Sequence, residues 1–93
     1  MTGAAKFSTA QLLLSQYGGK PIVSVDDVRR DYFPHLTADN FMRKVGSGDI
    51  RLPVVRVEAS QKCYKGVHVM DLADYLDGRR EAAVKELKQV TRQ

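Results

Sequence analysis

Ser24-Val25-Asp26-Asp27-Val28-Arg29-Arg30-Asp31-Tyr32-Phe33-Pro34-His35-Leu36-Thr37-Ala38-Asp39-Asn40-Phe41-Met42-Arg43-Lys44-Val45-Gly46 spells two short helices and the turn between them. The Ser24 hydroxyl can accept from the amide of Asp27, a capping-box-like start. Val25, Val28 and Tyr32 then recur at spacings of three and four, with Asp26, Asp27, Arg29 and Arg30 off that face, until Pro34 ends the helix. Pro34-His35-Leu36 is the turn. Thr37 is a second N-cap, and Leu36 is placed to staple onto Phe41. Phe41 and Val45 make an inward stripe with Met42 at its edge, which leaves Asp39, Asn40, Arg43, Lys44 and Ser47 pointing mostly outward. Gly46 and Gly48 supply the stop.

The sequence on either side completes the plan. Ile50 to Val57 is strand-like through Leu52, Val54, Val55 and Val57, with Pro53 allowed only near an edge or a strand start. Gly66-Val67-His68-Val69 is the return strand. The polar tip Glu58-Ala59-Ser60-Gln61-Lys62-Cys63-Tyr64-Lys65 is too long for a two-residue hairpin turn and is expected to be exposed. Two capped helices followed by a long-tipped hairpin is the layout of a winged helix-turn-helix. Upstream, residues 1–7 read as a loose leader, and Ser8 or Thr9 caps a helix through Leu12, Leu13 and Leu14 to about Tyr17, where Gly18-Gly19 stops it. Three consecutive leucines predict cover on more than one side. Pro21-Ile22-Val23 reads as a short extended segment.

Downstream, residues 71–90 form a long amphipathic helix along Leu72, Leu76, Ala83, Leu87 and Val90, widened by Ala73 and Val84, with Gly78 its weak point. At about 30 Å it outruns the domain, so its last turns are candidates for dimer contacts or for a frayed, exposed end. The expected class is therefore α+β: one domain over residues 1–93, a small winged helix-turn-helix with an added N-terminal helix and a long C-terminal helix.

Composition narrows the function. A chain of 93 residues with 43% hydrophobic and 28% charged residues suits one small core. The net charge of +4 is uneven. Residues 43–66 carry Arg43, Lys44, Arg51, Arg56, Lys62 and Lys65 against Asp49 and Glu58, which accounts for the whole excess. Cys63 is the single cysteine, so no internal disulfide forms, and no stretch is long and apolar enough for a membrane span. The expected location is the cytoplasm, in association with the nucleoid.

An α-helix fits the major groove of duplex DNA, where Arg bonds bidentately to guanine and Asn to adenine. Thr37, Asn40, Arg43, Lys44 and Ser47 supply that chemistry on the second helix. Ser60, Gln61, Lys62 and Lys65 at the hairpin tip can donate to phosphates on the neighbouring backbone. Any short surface helix carries polar residues, and the tip is what favours DNA. Catalysis finds no support: His35 and His68 are isolated, Cys63 has no partner, and Asp26-Asp27 suit a helix N-terminus better than an acid–base pair. Gly46-Ser47-Gly48 lacks the setting and the lysine of a phosphate loop. The reading is a non-enzyme with no cofactor and no metal.

The progressions Arg43-Lys44-Val45-Gly46-Ser47-Gly48-Asp49-Ile50, Leu52-Pro53-Val54-Val55-Arg56-Val57 and Gly66-Val67-His68-Val69-Met70-Asp71-Leu72 resemble the winged helix-turn-helix of phage excisionases and MerR-like proteins. More closely, Leu12-Leu13-Leu14-Ser15-Gln16-Tyr17-Gly18-Gly19, Asp31-Tyr32-Phe33-Pro34-His35-Leu36-Thr37, Ala59-Ser60-Gln61-Lys62 and Lys65-Gly66-Val67-His68 are similar to the pyocin activator (PrtN) family. That resemblance implies a small bacterial DNA-binding transcriptional activator of phage or phage-tail-like bacteriocin genes, turned on in the DNA damage response. Double-stranded DNA is the implied partner. RNA polymerase, and a second copy of the chain through the terminal helices, are further candidates. The alternatives are an excisionase-like architectural protein that bends DNA and a phage-encoded protein-binding module.

Overall fold

The computed structural model describes residues 6–60 and 63–91. Among these, four helices and three strands follow in the order α1 (Thr9–Gln16), β1 (Ile22–Ser24), α2 (Val25–Tyr32), α3 (Ala38–Ser47), β2 (Val55–Arg56), β3 (Lys65–His68) and α4 (Val69–Thr91). The strands form one antiparallel sheet in the order β1-β3-β2. The class is α+β, compatible with a small winged helix-turn-helix domain carrying a long C-terminal helix.

Each helix start has a local chemical cause. Ser8 caps α1 in a full capping box with Gln11, Ser24 caps α2 by accepting from the Asp27 amide, and Thr37 caps α3 by accepting from the Asn40 amide. The start of α4 is held differently. His68 Nδ1 accepts the Met70 amide at 3.0 Å, and the Val69 amide donates to the Pro21 carbonyl at 2.8 Å, which ties the helix to β1. His68 is thus a half-buried structural residue.

The core is a contiguous cluster built from every element except β2. Phe41 of α3, Val28 of α2, Val67 of β3 and Val69 and Leu72 of α4 are almost wholly buried, joined by Leu13, Val23, Phe33, Ile50, Leu52 and Ala73. Phe33, just past α2, sets its ring 4.9 Å from Phe41 and 5.8 Å from Tyr75, so one aromatic group links both short helices to α4.

Three expectations need correction. The segment from Ile50 to Val57 is not one strand: only Val55–Arg56 pairs, while Ile50 and Leu52 are buried as anchors of an unpaired stretch. Pro53 offers no N–H there, and β3 pairs with β2 only at Lys65 and Gly66, while its opposite edge pairs with β1 from Gly66 to His68. The short extended segment expected after Pro21 is present as a strand, paired Ile22 to His68, Val23 to Val67 and Ser24 to Gly66. Gly46 lies inside α3, and only Gly48, with φ 86°, ends it. The leucine triplet is covered mainly at Leu13 and partly at Leu14, while Leu12 is exposed.

Gly66 explains the tight fit of the sheet. A Cβ at this position would stand 2.5 Å from Ile22 Cγ2 and 2.6 Å from the Val23 carbonyl oxygen. The central strand therefore approaches β1 more closely than any side chain permits.

α1 lies against the first half of α4, where the Thr9 hydroxyl donates to Asp77 at 2.6 Å. Gly78 does not interrupt α4, and Val84, Leu87 and Val90 on its second half are exposed.

Candidate nucleic-acid interface

α3 is the best-specified short helix in the fold. Beyond its Thr37 cap, Leu36 packs on the core that Phe41 fills, as the staple requires, and the turn before it is closed by a Leu36 amide bond to the Phe33 carbonyl at 3.0 Å. Arg29 contributes from α2: its guanidinium donates to the Leu36 carbonyl at 3.0 Å while pairing with Asp26 at 3.4 Å. This buttress of the turn was not anticipated, because it needs the two helices to be folded back before the residues meet.

With Phe41 turned inward, Asn40, Arg43 and Ser47 share the outward face at spacings of three and four, with Asp39 at its N-terminal edge. All are exposed. Arg43 donates to Asn40 Oδ1 at 2.9 Å, and the Ser47 hydroxyl donates to the Lys44 carbonyl at 3.1 Å. The Asn40–Arg43 bond aligns a guanidinium and a carboxamide side by side, two groups that recognise different base edges. Thr37 spends its hydroxyl on the cap. Lys44 does not join them. It is half-buried on the flank of the helix, lining a shallow cleft with His35, Asp49, Tyr75 and Arg79.

The hairpin adds a second group. Val55 stands opposite Gly66 and Arg56 opposite Lys65, after which the Val57 amide donates to the Tyr64 carbonyl at 3.0 Å. The Cys63 amide donates to the Ser60 carbonyl at 3.2 Å. Ser60 is exposed and Lys65 half-buried. Gln61 and Lys62, the other two expected contacts, lie outside the described residues. The structure thus brings three of the five α3 candidates onto one face and places Lys65 on the hairpin stem with Ser60 nearer its tip.

A family model described as pyocin activator protein PrtN matches residues 9–83. The chain belongs to this family. The matched span runs from the first residue of α1 through α2, α3, the hairpin and the first half of α4, so it holds every candidate contact on α3 and the hairpin. The pyocin activator match stops before Val84, so the exposed stripe of Val84, Leu87 and Val90 lies beyond it. No curated protein and no solved structure matched the chain.

Two tyrosines serve the scaffold. The Tyr17 hydroxyl donates to Asp31 at 2.6 Å, and burial together with that neighbouring carboxylate pushes the phenol's pKa up. The Tyr32 hydroxyl donates to Gln16 at 2.9 Å, so two tyrosines lock α1 to α2. Among the described residues, no three side chains of His, Cys, Asp or Glu gather where they could hold a metal ion, and no helix is long and apolar enough to cross a membrane.

Proposed function

We propose that this pyocin activator family member binds duplex DNA and activates transcription of phage or phage-tail-like bacteriocin genes. The reading is carried by the outward face of α3, where Asn40 and Arg43 are aligned by their mutual hydrogen bond on a helix fixed at both ends. α3 enters the major groove, Arg43 and Asn40 meet base edges, and Ser47 lies within reach of the backbone. The hairpin follows the neighbouring phosphates through Ser60, Gln61, Lys62 and Lys65. Family membership supports the activator role, and the excess of basic residues between positions 43 and 66 supports an anionic partner. Lys44, on the flank, acts through charge more than through base contact.

The test is fluorescence anisotropy on duplexes from upstream of neighbouring phage-like genes, titrated with salt. With Arg43 on a base edge and about five cations on phosphates, the logarithm of the binding constant should fall against the logarithm of salt concentration with a slope of about −4.5. A salt-independent or absent interaction at low salt would favour a protein-binding module instead. A bending assay paired with a promoter-driven reporter separates activation from an architectural role.

A further inference from the structure

The register of the hairpin creates an arrangement that composition does not disclose. Arg56 and Lys65 are direct antiparallel partners, so their side chains stand on the same face of the sheet. The Val57 amide bond to the Tyr64 carbonyl makes the next pair the hydrogen-bonded one. By the alternation of an antiparallel ladder, Arg56 and Lys65 are then a non-hydrogen-bonded pair, the kind in which Cα atoms come to about 4.5 Å and side chains are closest. Two like charges placed directly opposite destabilise a sheet. Among the described residues neither one forms an ion pair; the ion pairs lie in α2, and Glu58, two residues beyond Arg56, makes none. Arg56 is also on the edge strand, exposed, with one side of β2 open. The other face of the same stem carries Val57 and Tyr64, both exposed, so the two faces of the hairpin differ in character.

We infer that Arg56 and Lys65 form a two-cation clamp on one phosphodiester of the DNA backbone, with Arg56 the forked donor and Lys65 the point charge. A phosphate between them turns a repulsive pair into two attractive ones, and its oxygens match the planar guanidinium fork. The clamp rests on the reading of α3 and the hairpin as a DNA interface, and it adds Arg56 to that surface. Its register is set by Gly66, the next residue of β3, which holds the central strand against β1.

The experiment compares Arg56→Gln, Arg56→Glu, Arg56→Lys and Lys65→Gln with the wild type, by anisotropy on a selected and a random duplex and by thermal unfolding without DNA. Arg56→Gln should weaken binding by about five- to tenfold on both duplexes and make the salt slope shallower by about 1, while Arg56→Lys recovers part of the loss. The same change made on top of Lys65→Gln should cost less than it does in the wild type, because one phosphate is shared. Arg56→Glu should abolish the clamp's contribution yet raise the midpoint of unfolding by about 2–4 °C, as it exchanges repulsion for attraction across the strands. Wild-type affinity in Arg56→Gln and Arg56→Glu, with Arg43→Ala still impaired, would overturn the clamp and leave the α3 reading standing. A lowered midpoint in Arg56→Glu would also overturn it. Failure of the wild type to bind either duplex at low salt would overturn both.

Discussion

α3 and the hairpin are neighbours in sequence and share one proposed partner, yet they are built in opposite ways. α3 is fixed by groups within a few residues of one another: Thr37 on the Asn40 amide, Leu36 with Phe41, and Gly48 at the end. The hairpin has two paired residues on β2, a like-charged pair across the ladder and a register that depends on Gly66 meeting β1 some forty positions earlier in the chain. The helix is specified by short-range chemistry and the hairpin by long-range fit. A surface that reads bases needs the first kind of rigidity, whereas one that follows a backbone tolerates the second.

Substitutions can break this comparison at known points. The largest effect is expected from Phe41→Ala, which empties the site packed against Phe33 and should cost about 3–5 kcal/mol in urea unfolding. Gly66→Ala comes next, at about 1–3 kcal/mol, because its Cβ has no space beside Ile22 and Val23. Hydrogen exchange should then show lost protection in β1 and β3 with α3 unchanged; equal loss in α3 would mean that the two regions are not independently specified. Thr37→Ala should cost about 1 kcal/mol, recovered by Thr37→Ser and seen as faster exchange in the first turn of α3.

The smallest effect is one of pH. The Tyr17 phenol titrates higher in the folded chain than in the unfolded one, where its value is about 10. Its contribution to stability is therefore fully present below about pH 10 and is lost as pH rises from there towards the folded value. Tyr17→Phe should flatten that alkaline loss in pH-dependent unfolding, and an unchanged profile would remove Tyr17 as its cause.

The same contrast explains what was legible in the sequence. Caps at Ser8, Ser24 and Thr37 and the stop at Gly48 are signals carried within four residues, and each stands in the structure. The strand pattern was not legible to the same degree. A run rich in Val and Leu from 50 to 57 suggests a full strand, but Pro53, which the register sets opposite His68, has no N–H to give the ladder, and only Val55 and Arg56 pair with β3. β1 pairs with a segment more than forty residues away, and no local pattern encodes that. On the candidate surface, Asn40, Arg43 and Ser47 follow from helical spacing. The half-burial of Lys44 does not, since it depends on the cleft with Tyr75 and Arg79 of α4. Arg56 was legible only as one cation among six, because its standing opposite Lys65 exists only once the register is known.

The central claim is that the outward face of α3 reads DNA sequence, and the ratio of affinities for a selected over a random duplex tests it most directly. For Arg43→Ala the affinity for a duplex recovered by selection from a random pool should fall by about 1–3 kcal/mol, while the affinity for random duplex changes far less, so the ratio collapses. An unchanged ratio, with either no loss or equal loss on both duplexes, would contradict the account and place sequence reading elsewhere on the molecule.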